Sequence, residues 1–319
     1  MTSLSRVLAA IRHDPGFPLA RGELTLDRKF AREFLAWQKK TTKVNSLSDT
    51  DLILACCLAL KLDLACIQPQ TLAGERSGLL GKLADIPRLA DEGLFIFWVV
   101  NGSFQRAMAR RGALKLLKDM AASPEEVCQE LQQLSNQVIA ALVQGVSAGA
   151  HGIIIADDIA YQQNTYMSPD FVKQKLLPIW QTQVTSARNL GVPVFFHSDG
   201  NLNGILSTLV EAGFDGLQGI EPAAGMDLPA IKAHFGKALC LMGNIDPALL
   251  SDQGCQMDAK SRYTRLQQAV LDLIASTDGD GGLIFGTCSG LHAGMSPELV
   301  QYMYDLAVEP GTTVPVTSA

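Results

Sequence analysis

The sequence predicts a single (β/α)8 barrel, an α/β fold, with an N-terminal helical extension. Short β-type runs alternate with helical patterns about eight times along the 319 residues, and this alternation is typical of a parallel sheet. The fourth run contains Ile153, Ile154 and Ile155 in succession, as expected for a strand covered on both faces. The alternative, an open doubly wound sheet, usually has a glycine-rich phosphate loop after its first strand, and residues 22–25 do not form one.

Eight apolar runs of strand length are predicted to form the sheet. They cover residues 17–24, 62–67, 94–100, 152–156, 192–196, 213–220, 238–242 and 282–285. Segments with apolar residues three and four apart lie between these runs and predict helices. The predicted helices cover residues 29–37, 52–60, 124–146, 169–189, 202–212, 228–235, 262–276 and 297–306.

Residues at the helix ends support these assignments. Ser123 and Ser168 are expected N-caps, because each precedes a proline at the first helical position. Gly191, Gly213 and Gly236 follow helix ends, where a residue with left-handed backbone angles is favoured.

The composition excludes several classes of protein. The chain is 47% hydrophobic and 18% charged, which supports a large core, and one barrel accounts for residues 1–319 as a single domain. The net charge of −6 and the lack of a Lys/Arg block disfavour nucleic-acid binding.

The cysteines and the apolar runs predict a cytoplasmic protein. The seven cysteines form no Cys-x-x-Cys pair and several lie in apolar runs, as is typical of buried, reduced thiols. The first residues lack the pattern of a signal peptide, and no run reaches the roughly 18 apolar residues of a membrane span. We expect no membrane partner.

Polar residues follow all eight strands, and the fifth strand shows this most clearly. Val194, Phe195 and Phe196 end directly in His197 and Asp199. In a barrel, catalytic residues lie at these carboxyl-terminal strand ends. The candidate catalytic residues are Asp199, His197, Asp157 and Glu221; the candidate substrate-binding residues are Glu23, Gln68, Asn101, Asp158, Asn244, Asp246, Cys288 and His292.

Some of these candidates also have simpler structural interpretations. The pair Asp157 and Asp158 could cap the following helix, and Cys288 could be a small buried thiol. Glu221 precedes a proline and could belong to a rigid turn, while Asp246 could begin a helix.

Several strand-end motifs resemble the uroporphyrinogen decarboxylase superfamily. They include HSDGN at 197–201, EAGFDGLQ at 211–218, LMGNID at 241–246 and GTC at 286–288. The resemblance extends from about residue 3 to 308 and is more specific to the branch of cobamide-dependent methyltransferases. It implies a (β/α)8 barrel, in agreement with the strand count.

The decarboxylase activity of this superfamily is not favoured by the first strand end. The resemblance implies an arginine-containing segment there, close to Arg-Gln-Ala-Gly-Arg-Tyr, whereas residues 23–30 have the sequence ELTLDRKF. A tetrapyrrole with eight carboxylates needs cationic partners, preferably arginines. A uroporphyrinogen decarboxylase-like carboxy-lyase is therefore the alternative function.

The methyltransferase branch moves a methyl group from a methylated corrinoid protein to an acceptor. Its thiol-methylating members resemble this chain at His197 and Cys288, two positions of a zinc site, but Asp199 stands where they have a cysteine. One interpretation is that His197, Asp199 and Cys288, together with Glu221, still bind zinc for a coenzyme M-type thiol acceptor.

The favoured interpretation is a site without a metal and an amine acceptor, N5 of tetrahydrofolate, because zinc prefers nitrogen and sulfur ligands at such sites. Polar side chains would then hold the pterin edge, and positioning would supply most of the rate. The side chains expected in this role are Asp157, Asn101, Asp199, Asn244 and Gln68.

The methyl donor is expected to be a methylcobamide on a separate protein. The chain has no Asp-x-His-x-x-Gly segment of the kind that binds a corrinoid. We therefore expect a corrinoid protein to dock transiently over the strand ends. A non-catalytic binding subunit and a lyase acting on a small carboxylic acid remain open at this stage.

Overall fold

The structure, a computed structural model, describes residues 1–38, 44–69, 78–251, 258–277 and 281–308. Eight parallel strands form one sheet in the order β1-β8-β7-β6-β5-β4-β3-β2, and helices surround it. This confirms the predicted (β/α)8 barrel. The strands are β1 Ala20–Arg21, β2 Leu64–Ile67, β3 Phe95–Asn101, β4 Gly152–Ala156, β5 Val194–His197, β6 Gly216–Gln218, β7 Cys240–Ile245 and β8 Leu283–Thr287.

Two strands are much shorter than their apolar runs. The first run, residues 17–24, includes Pro18, which has no amide hydrogen for a ladder, and only Ala20–Arg21 pair with β8. In the sixth run, Gly213 has a φ of +91° and terminates the preceding helix, so the strand begins at Gly216.

The helices follow the predicted alternation, with α1 forming the expected N-terminal extension. A π-helical turn at Val172–Leu176 joins α8 to α9, immediately before a stretch containing Pro178, whose missing amide hydrogen interrupts α-helical bonding. The helices are α1 Ser3–Arg12, α2 Arg28–Trp37, α3 Asp49–Ala59, α4 Ile86–Asp91, α5 Ser103–Arg111, α6 Ala113–Ala122, α7 Pro124–Ser147, α8 Pro169–Phe171, α9 Leu177–Arg188, α10 Leu206–Ala212, α11 Leu228–Phe235, α12 Ala259–Ala275 and α13 Pro297–Val308.

Helices α4, α5 and α6 were not among the predicted segments. The chain between β3 and β4 was expected to contribute one long helix, and it contributes α7 preceded by two shorter helices. Gly112, with a φ of +78°, separates α5 from α6. Tertiary contacts at the beginning of α5, described below, help to fix its position.

Three even-numbered strands are preceded by a side chain that accepts a hydrogen bond from the neighbouring odd-numbered strand. The acceptors are Asp63 before β2, His151 before β4 and Asp215 before β6. Their donors are the backbone N–H groups of Arg21, Ile96 and Val194, at 3.0, 3.0 and 2.8 Å. These contacts fix the register of the strand pairs at the amino-terminal end of the barrel.

Asp63 also closes the barrel between β1 and β2. Its backbone N–H donates to the carbonyl oxygen of Arg21 at 2.8 Å, and its carboxylate receives Arg21 Nε at 3.4 Å and Arg6 Nε at 2.8 Å. Because Arg6 lies on α1, one fully buried carboxylate joins the two end strands and the N-terminal helix.

Aromatic side chains fill the barrel interior. The rings of Phe97 and Phe195 lie 5.0 Å apart, and Val7 of α1 belongs to the same buried cluster. Gly152 and Gly216 make room for these rings, since a Cβ atom at either would lie 2.6 Å or less from Phe97 or Phe195. The interior is thus a packed core, as in other barrels.

A buried polar network joins β1, β8 and α13 at the other end of the barrel. The Glu23 carboxylate accepts hydrogen bonds from the backbone N–H and hydroxyl of Thr287 and from the hydroxyl of Tyr304. Burial raises the pKa of Glu23 to about 7, although these donors oppose the shift. Glu23 was predicted to bind substrate; here all its described contacts are internal.

Within the ranges given above, no helix is both long and apolar enough to cross a membrane.

The substitution Asp63→Asn is expected to destabilise the fold by about 3 kcal/mol, because it leaves the charges of Arg6 and Arg21 without their buried counter-ion. The matched change Asp215→Asn weakens a contact to Arg188, whose side chain is 51% exposed and stays solvated, and should cost about 1 kcal/mol or less. Urea unfolding of both variants measures the difference; equal losses would contradict the closing role of Asp63.

The substitution Glu23→Gln is expected to flatten the pH dependence of stability. A carboxyl group whose pKa rises from 4.5 to about 7 on folding stabilises the protein fully below pH 4.5, and this stabilisation is lost as the pH rises through about 7. The free energy of unfolding of the variant should therefore rise by up to about 3 kcal/mol relative to that of the wild type as the pH increases from about 4 to about 8. Thermal or urea unfolding across this range provides the measurement, and a constant difference would contradict the proposed protonation.

Candidate functional site

An open cleft of about 390 Å³ lies at the carboxyl-terminal strand ends. The segments after β4, β5, β6, β7 and β8 all contribute to it, as the barrel prediction requires. Four predicted site residues line the cleft: Asp199, Glu221, Asp246 and Cys288. The other lining residues are Ala160, Tyr161, Gln162, Gly200, Ala223, Pro247 and Ser289.

The lining of the cleft is acidic. Three of its residues, Asp199, Glu221 and Asp246, are carboxylates, and no lysine or arginine is found among the described residues that line it. Such a surface favours ligands that carry N–H donors or positive charge and disfavours ligands rich in carboxylates.

His197 and two carboxylates form a compact group beside the cleft. Nε2 of His197 lies 3.6 Å from Oδ1 of Asp158, and the same oxygen accepts a hydrogen bond from the backbone N–H of Asp199 at 3.1 Å. Burial raises the pKa of Asp158, while the neighbouring His197 opposes the shift. This arrangement pairs a buried imidazole with a carboxylate that gains affinity for a proton.

This group is also the candidate metal site, because possible ligand atoms of Asp158, His197 and Asp199 all lie within 4.8 Å of one another. Cys288 does not belong to the group, so the structure brings together a different set from His197, Asp199 and Cys288, the ligands of the less favoured zinc interpretation. One imidazole and two carboxylates are a better ligand set for a harder cation than for the zinc ion of a thiol-activating site, which is bound partly through sulfur.

The surroundings of His197 also fit a metal poorly. A metal-bound histidine usually donates its second ring N–H to an acceptor, but Nδ1 of His197 is buried without a hydrogen-bond partner in the described part of the chain. It lies close to Gly219, where a Cβ atom would come within 3.1 Å of Nδ1. The residues therefore do not reproduce a zinc site for a thiol acceptor.

The loops around the cleft are tied together through Gly200. This residue has a φ of +87°, and a Cβ atom there would lie 2.6 Å from the backbone oxygen of Tyr161. The backbone N–H of Gly200 donates to the Glu221 carboxylate at 3.1 Å, and that of Asn201 donates to the Tyr161 oxygen at 2.9 Å. Three strand ends thus hold one another in place.

Cys288 lies at the floor of the cleft as a buried thiol. Burial raises its pKa, and the nearby carboxylates of Glu221, Asp246 and Asp199 raise it further. Its backbone oxygen accepts a hydrogen bond from Gln218 Nε2 at 3.0 Å. In these surroundings the thiol favours its protonated form, which makes it a poor nucleophile.

Asp157, a predicted catalytic residue, is not among the residues that line the cleft. Its fully buried carboxylate accepts the backbone N–H of Gln105 in the first turn of α5 at 2.8 Å and lies 3.4 Å from Nε1 of Trp180. Burial raises its pKa to about 7. Gly102 has to be a glycine, because a Cβ atom there would lie 2.3 Å from the Asp157 carboxyl carbon. The observed contacts are those of an anchor for α5.

Four further candidates are also absent from the cleft lining. Gln68 is 2% exposed, neither of its amide atoms has a partner among the described residues, and it shares a small internal space with Glu23. Asn101 ends β3 with a buried Oδ1 atom that has no hydrogen-bond partner within the described ranges. Asn244 pairs with Gly286 in the β7–β8 ladder, and Nε2 of His292 lies 3.1 Å from Oγ of Ser289.

Two aromatic residues beside the cleft are not among the predicted site residues. Tyr161 lines it, and Tyr166 stacks on Tyr161. Both follow the Asp157–Asp158 pair within ten residues, so their position in the β4–α8 loop was the available indication.

Sequence comparison gives a family for this chain. A family model described as uroporphyrinogen decarboxylase (URO-D) matches residues 101–309, more than half of the chain. The uroporphyrinogen decarboxylase of Actinobacillus succinogenes is 25% identical over 217 residues, covering 66% of this chain and 55% of the relative. That of Chlorobaculum tepidum is 26% identical over 194 residues, covering 60% and 51%. The chain thus spans about half the length of the curated relatives it matches.

Solved structures with the same architecture include a methyltransferase from Methanosarcina mazei. It superposes with a TM-score of 0.75 at 18% identity, covering 98% of this chain and 100% of that one. A B12-independent methionine synthase from Shewanella sp. W3-18-1 gives 0.53 at 12% identity, covering 82% and 87%. These likenesses establish the fold. The family model, which matches more than half of the chain, shows that the chain belongs to the uroporphyrinogen decarboxylase family.

Proposed function

We propose that this protein transfers a methyl group from a methylated corrinoid, carried by a partner protein, to an amine acceptor of the tetrahydrofolate class. The observation that carries the proposal is the acidic lining of the cleft, with Asp199, Glu221 and Asp246 and no cationic side chain among its described residues. The amino and ring N–H groups of a pterin can donate to these carboxylates.

The transfer needs an aligned acceptor more than it needs strong acid–base catalysis. The N5 lone pair forms the new N–C bond as the cobalt–carbon bond breaks; the cobalt keeps that electron pair and the N5 proton leaves. Asp158 and His197 lie beside Asp199 and offer basic groups for this proton. The tied loops at Gly200 would hold the acceptor in place, and such positioning accounts for large rate effects.

Decarboxylation of uroporphyrinogen is the competing function, because the named sequence relatives are decarboxylases. The eight carboxylates of that substrate would face the carboxylates of the cleft with no arginine among the described lining residues to pair with them. A thiol acceptor is disfavoured by the poor fit of His197 and its neighbours to zinc.

An assay with methylcobalamin as the donor tests the proposed acceptor. Tetrahydrofolate should demethylate methylcobalamin and yield 5-methyltetrahydrofolate, measured by absorbance and chromatography, while uroporphyrinogen III should release no carbon dioxide. Asp199→Asn should lower kcat/KM by about 10-fold to 100-fold, the effect of weakening one charged hydrogen bond. Asp91→Asn, an exposed carboxylate at the end of α4, is the matched control and should change nothing. Release of carbon dioxide, or transfer only to a thiol, would contradict the proposal.

Metal analysis of the purified protein separates the amine from the thiol acceptor. We expect less than stoichiometric zinc and the same zinc content in His197→Ala, because the surroundings of this imidazole fit a metal poorly. One zinc ion per chain that is lost in both His197→Ala and Cys288→Ala would overturn the metal-free site.

A further inference from the structure

Two exposed tyrosines form a stacked pair at the edge of the cleft. Tyr161 and Tyr166 are 44% and 42% exposed, and their ring centroids lie 5.7 Å apart with an interplanar angle of 25°. Tyr166 stacks in turn near Phe104, a fully buried residue of α5, at 6.3 Å and 24°. The three rings form a series that leads from the core to the solvent.

The backbone of Tyr161 is fixed before any ligand binds. Its N–H donates to the carbonyl oxygen of Asn164 at 2.9 Å, and its carbonyl oxygen accepts the N–H of Asn201 at 2.9 Å. Gly200 allows this close approach, since a side chain there would collide with the Tyr161 backbone. A ring carried on a fixed backbone has only its side-chain torsions to lose on binding, which favours recognition of a flat ligand.

The stacked pair lies directly beside hydrogen-bond acceptors. Tyr161 lines the same cleft as Asp199 and Glu221. Burial raises the pKa of the Tyr166 phenol, and the nearby carboxylates of Asp158 and Asp199 raise it further. A flat ring on Tyr161 would therefore have carboxylates within reach of its edge.

We propose that Tyr161, supported by Tyr166, is the stacking platform for the 2-amino-4-oxopteridine ring of the methyl acceptor, with Asp199 and Glu221 accepting hydrogen bonds from the ring edge. This inference rests on the proposed function and adds the residues that select a planar, N–H-rich heterocycle. Tyr166 covers one face of the Tyr161 ring, and the ligand occupies the other face.

Ring stacking and donor recognition can be tested separately on the full-length protein. The probes are pterin and lumazine, two flat rings that differ because lumazine has an oxo group where pterin has the 2-amino donor. The variants are Tyr161→Leu, which removes the ring, and Tyr161→Phe, which keeps it. Phe17→Leu is the control, since Phe17 is 43% exposed but precedes β1 at the opposite end of the barrel.

Titration calorimetry should give a pterin Kd that is about 10-fold or more weaker in Tyr161→Leu, the loss expected for one stacked heterocycle. The Kd should be nearly unchanged in Tyr161→Phe and Phe17→Leu. Lumazine should bind the wild type more weakly than pterin, because its oxo group would face carboxylates. Unchanged thermal unfolding of Tyr161→Leu would show that the loss is local.

The contrary outcomes separate this inference from the proposed function. Equal pterin binding by the wild type and Tyr161→Leu would overturn the platform and leave the acceptor standing. If the wild type bound neither pterin nor tetrahydrofolate, the tetrahydrofolate-class acceptor itself would be wrong, and the platform with it.

Discussion

The carboxylate of Asp63 is the contact on which the geometry of the barrel depends. It accepts a hydrogen bond from the backbone N–H of Arg21 in β1 and binds Arg6 of α1 at the amino-terminal end of the barrel. Asp215 serves the β5–β6 pair and the Nδ1 atom of His151 serves the β3–β4 pair in the same way. Burial lowers the pKa of His151, so its ring stays neutral and keeps an acceptor nitrogen. Because these side chains set the register at one end, the loops at the other end meet in a defined arrangement.

Function at the carboxyl-terminal end depends on which polar groups stay accessible. Glu23 and Asp157 both lie at strand ends, yet their carboxylates are used up by hydrogen bonds to Thr287 and to α5. Asp199 and Glu221 remain available to a ligand in the cleft. A strand-end carboxylate thus either anchors a helix or faces a substrate, and burial distinguishes the two roles.

The fold could be predicted from the sequence, because long apolar runs such as that containing Ile154 have few alternatives to a strand covered on both faces. The candidate site could be predicted only in part. The burial of Asp157 depends on the position of α5, a tertiary contact with no local pattern. The place of Asp158 beside His197 and the exposure of Tyr161 likewise follow from how three loops pack around Gly200. Sequence patterns locate strand ends but do not indicate which side chains turn inward.

The aromatic packing of the barrel interior has a consequence for the order of events in turnover. With Phe97 and Phe195 filling the centre, the described residues leave no passage through the barrel, and the cleft opens at the carboxyl-terminal end. A small acceptor and a donor carried on a protein would have to share that entrance. The acceptor would then have to arrive before the donor protein covers the opening, and the methylated product could leave only after that protein departs. In the proposed reaction, a filled core would thereby impose an order on binding and release.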